Sequence, residues 1–273
     1  MSSWPHHRHV RLFLWATPRS TSTAFEWVMR QRGDLACFHE PFNEAYYYGT
    51  DRRSGRDAHV VATPGLSFPS VWDRLDEAAA HRPIFVKEFA YSVDDALPDT
   101  RFDQIHHTFL VRDPRRVIQG LANHWPDCTS DEVGFTALHR LFLRVVERTG
   151  TVPPVLSSAD LVAHPDDAMR AYCAAVGLPF VADAMHWEPG ERAEVSWYGE
   201  GSGPWHDQLR QSRGITPSAT RYPPIEDRPR LVELYEEALP LYEDLLTNAL
   251  PIGPATARPS IDDPFTATAP EPM

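Results

Sequence analysis

The chain has 273 residues, 42% of them hydrophobic, three cysteines and a formal net charge of −12 at neutral pH. Its length and apolar content suffice for one sizeable core, and the acidic balance speaks against sequence-independent nucleic-acid binding, which needs a basic face. No apolar run approaches the roughly eighteen residues of a membrane helix, and Cys37, Cys128 and Cys173 lack metal-ligand spacing, so the composition predicts a cytoplasmic protein with reduced thiols.

Residues 1–9 lack the apolar stretch of a secretory signal and read as a flexible N-terminus, with His6, His7 and His9 in a solvated tail rather than a metal tract. A strand-like run over 10–15 ends in Thr17-Pro18. Arg19 and four hydroxyl residues, Ser20, Thr21, Ser22 and Thr23, follow, and a helical pattern covers 21–31. This order gathers the free N–H groups of a helix N-terminus, a guanidinium and several hydroxyls in one place, a seat for phosphate or sulfate. A plain Ser/Thr cap is the other reading these residues allow. The segment is not a Walker loop, which needs G-x-x-x-x-G-K-[ST], because no glycine lies between Val10 and Met29.

A second strand-like run, 35–39, leads into Glu40-Pro41-Phe42. Glu40 is a candidate base, or a cap or salt-bridge partner for Arg19; Phe38 and Phe42 would raise its pKa toward neutrality. Strand alternation predicts that His39, a backup base, points away from it. Residues 43–66, polar and carrying Tyr46-Tyr47-Tyr48, read as a lid over an acceptor or as a mobile surface loop. After a helix over 69–80, the strand 84–88 carries Lys87, either a site residue or a strand-end surface lysine. The strand 107–111 runs into Arg112-Asp113-Pro114, and Pro114 suits the first turn of a helix over 114–122. The Arg112 guanidinium can grip a phosphate through two parallel hydrogen bonds, or pair with Asp113.

Helices over 130–149, 165–176 and 228–248 and a strand over 155–158 complete the pattern; 188–220 reads as a second flap and 251–273 as a disordered Pro/Thr-rich tail. Strands alternating with amphipathic helices predict an α/β domain over 10–250, with a mostly parallel central sheet flanked by helices. Ligands of such sheets bind beyond the C-terminal strand ends. Both anion motifs and Glu40 lie there.

The run Pro18-Arg19-Ser20-Thr21-Ser22-Thr23 resembles the Pro-Lys/Arg-Ser-Gly-Thr-Thr phosphosulfate loop of the sulfotransferases, and the strand ending in Arg112-Asp113-Pro114 resembles that family's second anion motif. Residues 38–42 and 205–214 resemble segments of a bacterial and plant group of the same family. The resemblance spans about 10–250 and implies a P-loop-kinase-like fold. It implies sulfuryl transfer from 3′-phosphoadenosine-5′-phosphosulfate (PAPS) to a hydroxyl or amine of a small-molecule acceptor, without a metal. The sulfate is either retained or made a leaving group for elimination or ring closure.

The resemblance further implies that Arg19, Ser20, Thr21, Ser22 and Thr23 hold the phosphosulfate and Arg112 the 3′-phosphate. Gly120 stands where the family often has Ser and would offer a backbone N–H, and Ser212 is a further cofactor contact. Glu40, Arg19 and Lys87 would be catalytic. Thr21 replaces the usual Gly, which predicts that it starts the helix instead of adopting a positive φ. Phe89 stands where many cytosolic members place a His base. Gly120 and Phe89 leave open a non-catalytic binding protein of this fold, and a small-molecule kinase using ATP and magnesium is the other alternative. Neither the acceptor nor the oligomeric state is legible.

Overall fold

The computed structural model describes residues 10–93, 97–192, 195, 204–217 and 220–252. The expected flexible N-terminus, nearly all of the expected tail and part of the 188–220 flap lie outside the described residues. Five strands, β1 (Arg11–Ala16), β2 (Ala36–His39), β3 (Ile84–Phe89), β4 (Ile105–Val111) and β5 (Val155–Ser157), form one parallel sheet in the order β2-β3-β1-β4-β5. Each expected strand is present, within two residues at either end.

The helices are α1 (Ser22–Gln31), α2 (Pro41–Tyr48), α3 (Phe68–His81), α4 (Ala90–Val93), α5 (Asp99–Phe102) and α6 (Pro114–Ala122). They continue as α7 (Ser130–Val133), α8 (Phe135–Thr149), α9 (Ser158–Ala163), α10 (Pro165–Ala175), α11 (Asp207–Gln211) and α12 (Pro229–Thr247). Side chains of a strand alternate between faces, and β1 sorts accordingly. Phe13 and Trp15 join Val86, Phe109 and residues of α2, α3 and α8, whereas Leu12, Leu14 and Ala16 join Phe85, Leu110 and residues of α1 and α10. A third apolar cluster joins α6, α7 and α12.

The histidine of β4 illustrates how polar atoms enter this core. His107 Nδ1 accepts from Trp15 Nε1 at 2.9 Å, so Nε2 carries the proton and donates to the Phe102 carbonyl at 3.1 Å. Burial lowers its pKa to about 4, and the ring stays neutral.

Two elements differ from the sequence reading. The helix expected over 130–149 is broken at Gly134, whose φ of +85° ends α7 and opens α8. A Cβ there would meet Tyr91 at 3.2 Å. The stretch 43–66 is not wholly irregular: α2 occupies it as far as Tyr48. Arg56 donates to both oxygens of Glu132 at 2.6 and 2.8 Å and to Asp127 at 3.0 Å. Helix α2 was hidden because its first N–H groups are capped from another strand, by Glu88 at the end of β3.

The chain leaves β1 toward β3 and β2 on one side and reaches β5 by way of β4 on the other. The crevice between the β1 and β4 ends is therefore the topological switch point, where open α/β sheets bind ligands.

Because only glycine adopts a left-handed conformation without cost, Gly134→Ala is expected to destabilise the protein by about 1–2 kcal/mol, as read from urea unfolding; an unchanged midpoint would contradict the role given to this break.

Candidate functional site

The loop between β1 and α1 is built on strained backbone. Arg19 has φ +59° and Thr21 φ +73°, so Thr21 adopts the conformation expected only of glycine and stands as the N-cap of α1, which begins at Ser22. A β-branched residue in this region costs of order 1–3 kcal/mol. Thr21 Oγ1 is held there by the Ser158 hydroxyl at 3.0 Å, from the β5 end. Left-handed residues thus flank Ser20 on both sides, and the first N–H groups of α1 have no intrahelical acceptor. The Ser20 hydroxyl donates to the Thr17 carbonyl at 2.6 Å, which makes it a brace of the loop. Ser22 is buried and Thr23 half-buried.

Arg112, at the β4 end, donates to the Arg19 carbonyl at 2.6 Å and so closes the switch-point crevice. Burial, together with the Arg19 charge, lowers the Arg112 pKa to about 10. Arg112 does not pair with Asp113, whose carboxylate instead caps the Arg115 N–H at 2.7 Å. Arg19 itself donates to the Trp205 carbonyl at 3.0 Å and the Tyr222 hydroxyl at 3.1 Å. Trp205 stacks on His124 at 4.2 Å, which seats the 204–206 turn over the loop.

Gly120 has a different role from the one expected. It lies in the interior of α6, where its N–H belongs to the helix ladder. A Cβ on it would approach the Arg19 side chain to 3.2 Å, so the missing side chain makes room for Arg19. Ser212 caps the end of α11: its hydroxyl accepts from Trp187 Nε1 at 3.0 Å and donates to the Leu209 carbonyl at 2.8 Å. Neither of these bonds brings it to Arg19 or Arg112.

At the β2 and β3 ends lies a second, more deeply buried group. Lys87 is not a surface residue; it is 1% exposed and pairs with Glu40. Its ammonium also sits 4.5 Å from the centre of the Phe89 ring, so the residue in place of the family's His forms a floor for Lys87. Burial depresses the Lys87 pKa to about 8, with Glu26 and Glu88 pulling the other way. Glu40 is also left-handed, at φ +45°, which breaks strand alternation at the point where His39 was expected to turn away. His39 Nε2 consequently lies 3.7 Å from Glu40 Oε1, and its Nδ1 lies 2.6 Å from Glu26 Oε2. The surroundings of Glu40 are thus ionic, not the apolar ones suggested by Phe38 and Phe42.

Glu26 also accepts from Arg30 at 2.7 Å. Burial alone would raise its carboxyl, but His39, Arg30 and Lys87 outweigh burial and hold it at about 2. Glu88 accepts from the N–H groups of Phe42 at 2.7 Å, Asn43 at 3.3 Å and Phe89 at 2.8 Å, and from the Ser92 hydroxyl at 3.2 Å. It therefore caps both α2 and α4, and burial raises it to about 7 against the pull of those donors.

Sequence reasoning missed Glu26 and Glu88. A signal existed for Glu26, an acid inside the apolar run Phe25-Glu26-Trp27-Val28-Met29 with Arg30 one turn on; none existed for Glu88, whose partners are backbone groups. Among the described residues no cluster has the composition of a metal site, and no helix is long and apolar enough to cross a membrane.

Residues 10–249 match a family model described as "Sulfotransferase domain". Two Arabidopsis thaliana proteins, branched-chain-amino-acid aminotransferase-like proteins 2 and 1, are 25% and 24% identical over 233 and 235 residues. In each case the match covers 85% of this chain and 40% of the relative, so the chain spans about two fifths of the length of the curated relatives it matches. The sulfotransferase domain of the Synechococcus PCC 7002 olefin synthase superposes with a TM-score of 0.51 at 18% identity, over 87% of this chain and 98% of that one. At that identity the likeness is one of fold.

Removing one partner of a buried ion pair strands the other charge. Lys87→Met and Glu40→Leu are each expected to cost about 3–5 kcal/mol, and the double variant less than their sum. Urea unfolding of all four proteins checks this, and strictly additive losses would mean that the pair is not coupled.

Proposed function

The chain belongs to the sulfotransferase domain family, and on that premise we propose that it transfers a sulfuryl group from PAPS to a hydroxyl or amine of a small-molecule acceptor. The observation that carries this reading is the pair of guanidiniums at the switch point. Arg112 and Arg19 are joined through the Arg19 carbonyl, and their hydrogen bonds among the described residues go to carbonyl and hydroxyl oxygens, not to carboxylates. Two neighbouring cations with this partner set, beside a helix N-terminus, suit a multiply charged anion.

In this reading the bridging sulfur–oxygen bond to the phosphate breaks as a bond to the acceptor oxygen or nitrogen forms, in line, and negative charge gathers on the leaving phosphate. Arg19 and the N–H groups of Ser22, Thr23 and Ala24 meet that charge as pre-set donors; Ser20 and Thr21 hold the loop in shape, and the hydroxyls of Ser22 and Thr23 are further candidate donors. Arg112 takes the 3′-phosphate. The Lys87 ammonium faces the bridging oxygen, and Glu40 removes the acceptor's proton. The transferred group carries less charge than a terminal phosphoryl, so side-chain cations suffice. The three cysteines are free thiols, which fits a cytoplasmic setting.

Thermal unfolding in the presence of the product nucleotide 3′-phosphoadenosine-5′-phosphate (PAP), and separately of ATP with magnesium, tests the reading. PAP at a hundredfold excess over its Kd is expected to add about 2.7 kcal/mol of stability, and Arg112→Ala to remove about 1.5–3 kcal/mol of that binding. A response to ATP with magnesium and none to PAP would overturn the sulfotransferase reading in favour of a kinase. PAP affinity is also expected to fall as pH rises through about 8, because the depressed Lys87 then loses its charge; a Kd flat from pH 7 to 9 in calorimetry would remove Lys87 from the phosphate's surroundings.

A further inference from the structure

The Arg19 guanidinium has two partners from late in the chain, the Trp205 carbonyl at 3.0 Å and the Tyr222 hydroxyl at 3.1 Å. The two oxygens differ in what they can offer an anion that comes to Arg19. A carbonyl has only lone pairs, which an anion avoids. A phenol that accepts from a guanidinium still has its own proton to donate. Among the described residues that proton has no acceptor, because the Tyr222 hydroxyl makes no hydrogen bond besides the one from Arg19.

Local sequence explains why the ring is held in this place. Tyr222 precedes Pro223 and Pro224, and a residue before proline is pushed to extended backbone. The prolines have no N–H to donate, so their carbonyls are the handles of the segment. Gln119 Nε2, on α6, donates to the Pro223 carbonyl at 3.2 Å, and Arg228 donates to the Pro223 and Pro224 carbonyls at 3.1 and 3.2 Å. Ile225 is buried in the apolar cluster of α6, α7 and α12 and anchors the far end. Tyr222 itself is half-buried. Its ring is near enough to Arg112 for a tyrosinate to raise that guanidinium's pKa, so the hydroxyl stands in the field of both cations.

We propose that Tyr222 is a ligand of the donor nucleotide: its hydroxyl accepts from Arg19 and donates to the phosphate oxygen that Arg19 holds. Which anion it meets rests on the sulfuryl-transfer reading; that a donor stands beside Arg19 does not. Two physical effects favour a phenol here. An O–H whose oxygen already accepts a bond is polarised into a stronger donor, and a charged acceptor strengthens the bond again. The phenol is also neutral at working pH. It adds a hydrogen bond to the anion without adding to the repulsion between Arg19 and Arg112, which already contributes to the lowered Arg112 pKa. Tyr222 lies 203 residues from Arg19 along the chain, so no pattern around 18–23 marks it.

Titration calorimetry at about pH 6.5, where the phenol is neutral, tests the assignment with PAP and, separately, with inorganic pyrophosphate. Three proteins are compared: wild type, Tyr222→Phe, and a protein whose Tyr222 ring is fluorinated beside the hydroxyl. The first substitution removes the hydroxyl and keeps the ring; fluorination makes the hydroxyl a better donor and a poorer acceptor. Tyr222→Phe is expected to weaken PAP by about tenfold or more, the effect of losing a hydrogen bond to a charged group, and fluorination to leave binding equal or tighter. A Kd unmoved by Tyr222→Phe would overturn the ligand role. Weaker binding on fluorination would overturn it too, because the hydroxyl would then serve only to orient Arg19. Pyrophosphate separates this outcome from failure of the sulfotransferase reading. If wild type binds pyrophosphate and not PAP, that reading falls, and Tyr222 as an anion donor stands or falls on whether Tyr222→Phe weakens pyrophosphate. Binding of neither anion would overturn both.

Discussion

Everything at the rim of this sheet follows from the need to bury charge without stranding it. Glu26, Glu40, Lys87 and Glu88 are each no more than 5% exposed, and they sit within a few residues of one another at the ends of β2 and β3 or on the helix that covers them. An isolated ammonium or carboxylate in such a place costs several kcal/mol after relaxation. The pairs Lys87–Glu40 and Arg30–Glu26 and the backbone donors of Glu88 offset that cost. The same arrangement keeps a cation with a depressed pKa and a carboxylate side by side at the C-terminal strand ends.

Strain is concentrated at the same rim. Among the described residues only four non-glycine positions have positive φ, and three of them are Arg19, Thr21 and Glu40. Each turns the chain out of an extended conformation within a few residues of a strand end. Arg19 and Thr21 turn the chain sharply between β1 and α1, and Glu40 brings its carboxylate to Lys87 across the strand pair. The parallel sheet can hold such conformations because its strands are locked on both faces by large buried rings, Trp15 and Phe13 on one side and Phe85 and Phe25 on the other.

Closure over the loop has its own physical basis. The Arg19 guanidinium is positioned by the Trp205 carbonyl and the Tyr222 hydroxyl, and Trp205 is seated by rings of His124 and Trp125. Gly120 makes room for the Arg19 stem. A residue that looked like a lost phosphate contact therefore serves the 18–23 loop through packing, which a motif comparison cannot register.

The sequence by itself determined the five strands and the parallel α/β class, and it singled out 18–23 and Arg112 as candidates for an anion site. These depend on short-range properties: apolar runs, a proline at a helix start, a cation beside a row of hydroxyls. It also marked Glu40 and Lys87, though as separate candidates. Only the tertiary structure decided that they pair, that His39 turns toward Glu40, that Thr21 is left-handed and that Glu88 caps two helices. Each of those features joins groups far apart in the chain, or depends on a backbone conformation that neighbouring strands impose against local preference. Residue type and spacing carry no record of either, because the energy that selects them arises when the sheet closes and the charges at its rim lose their water.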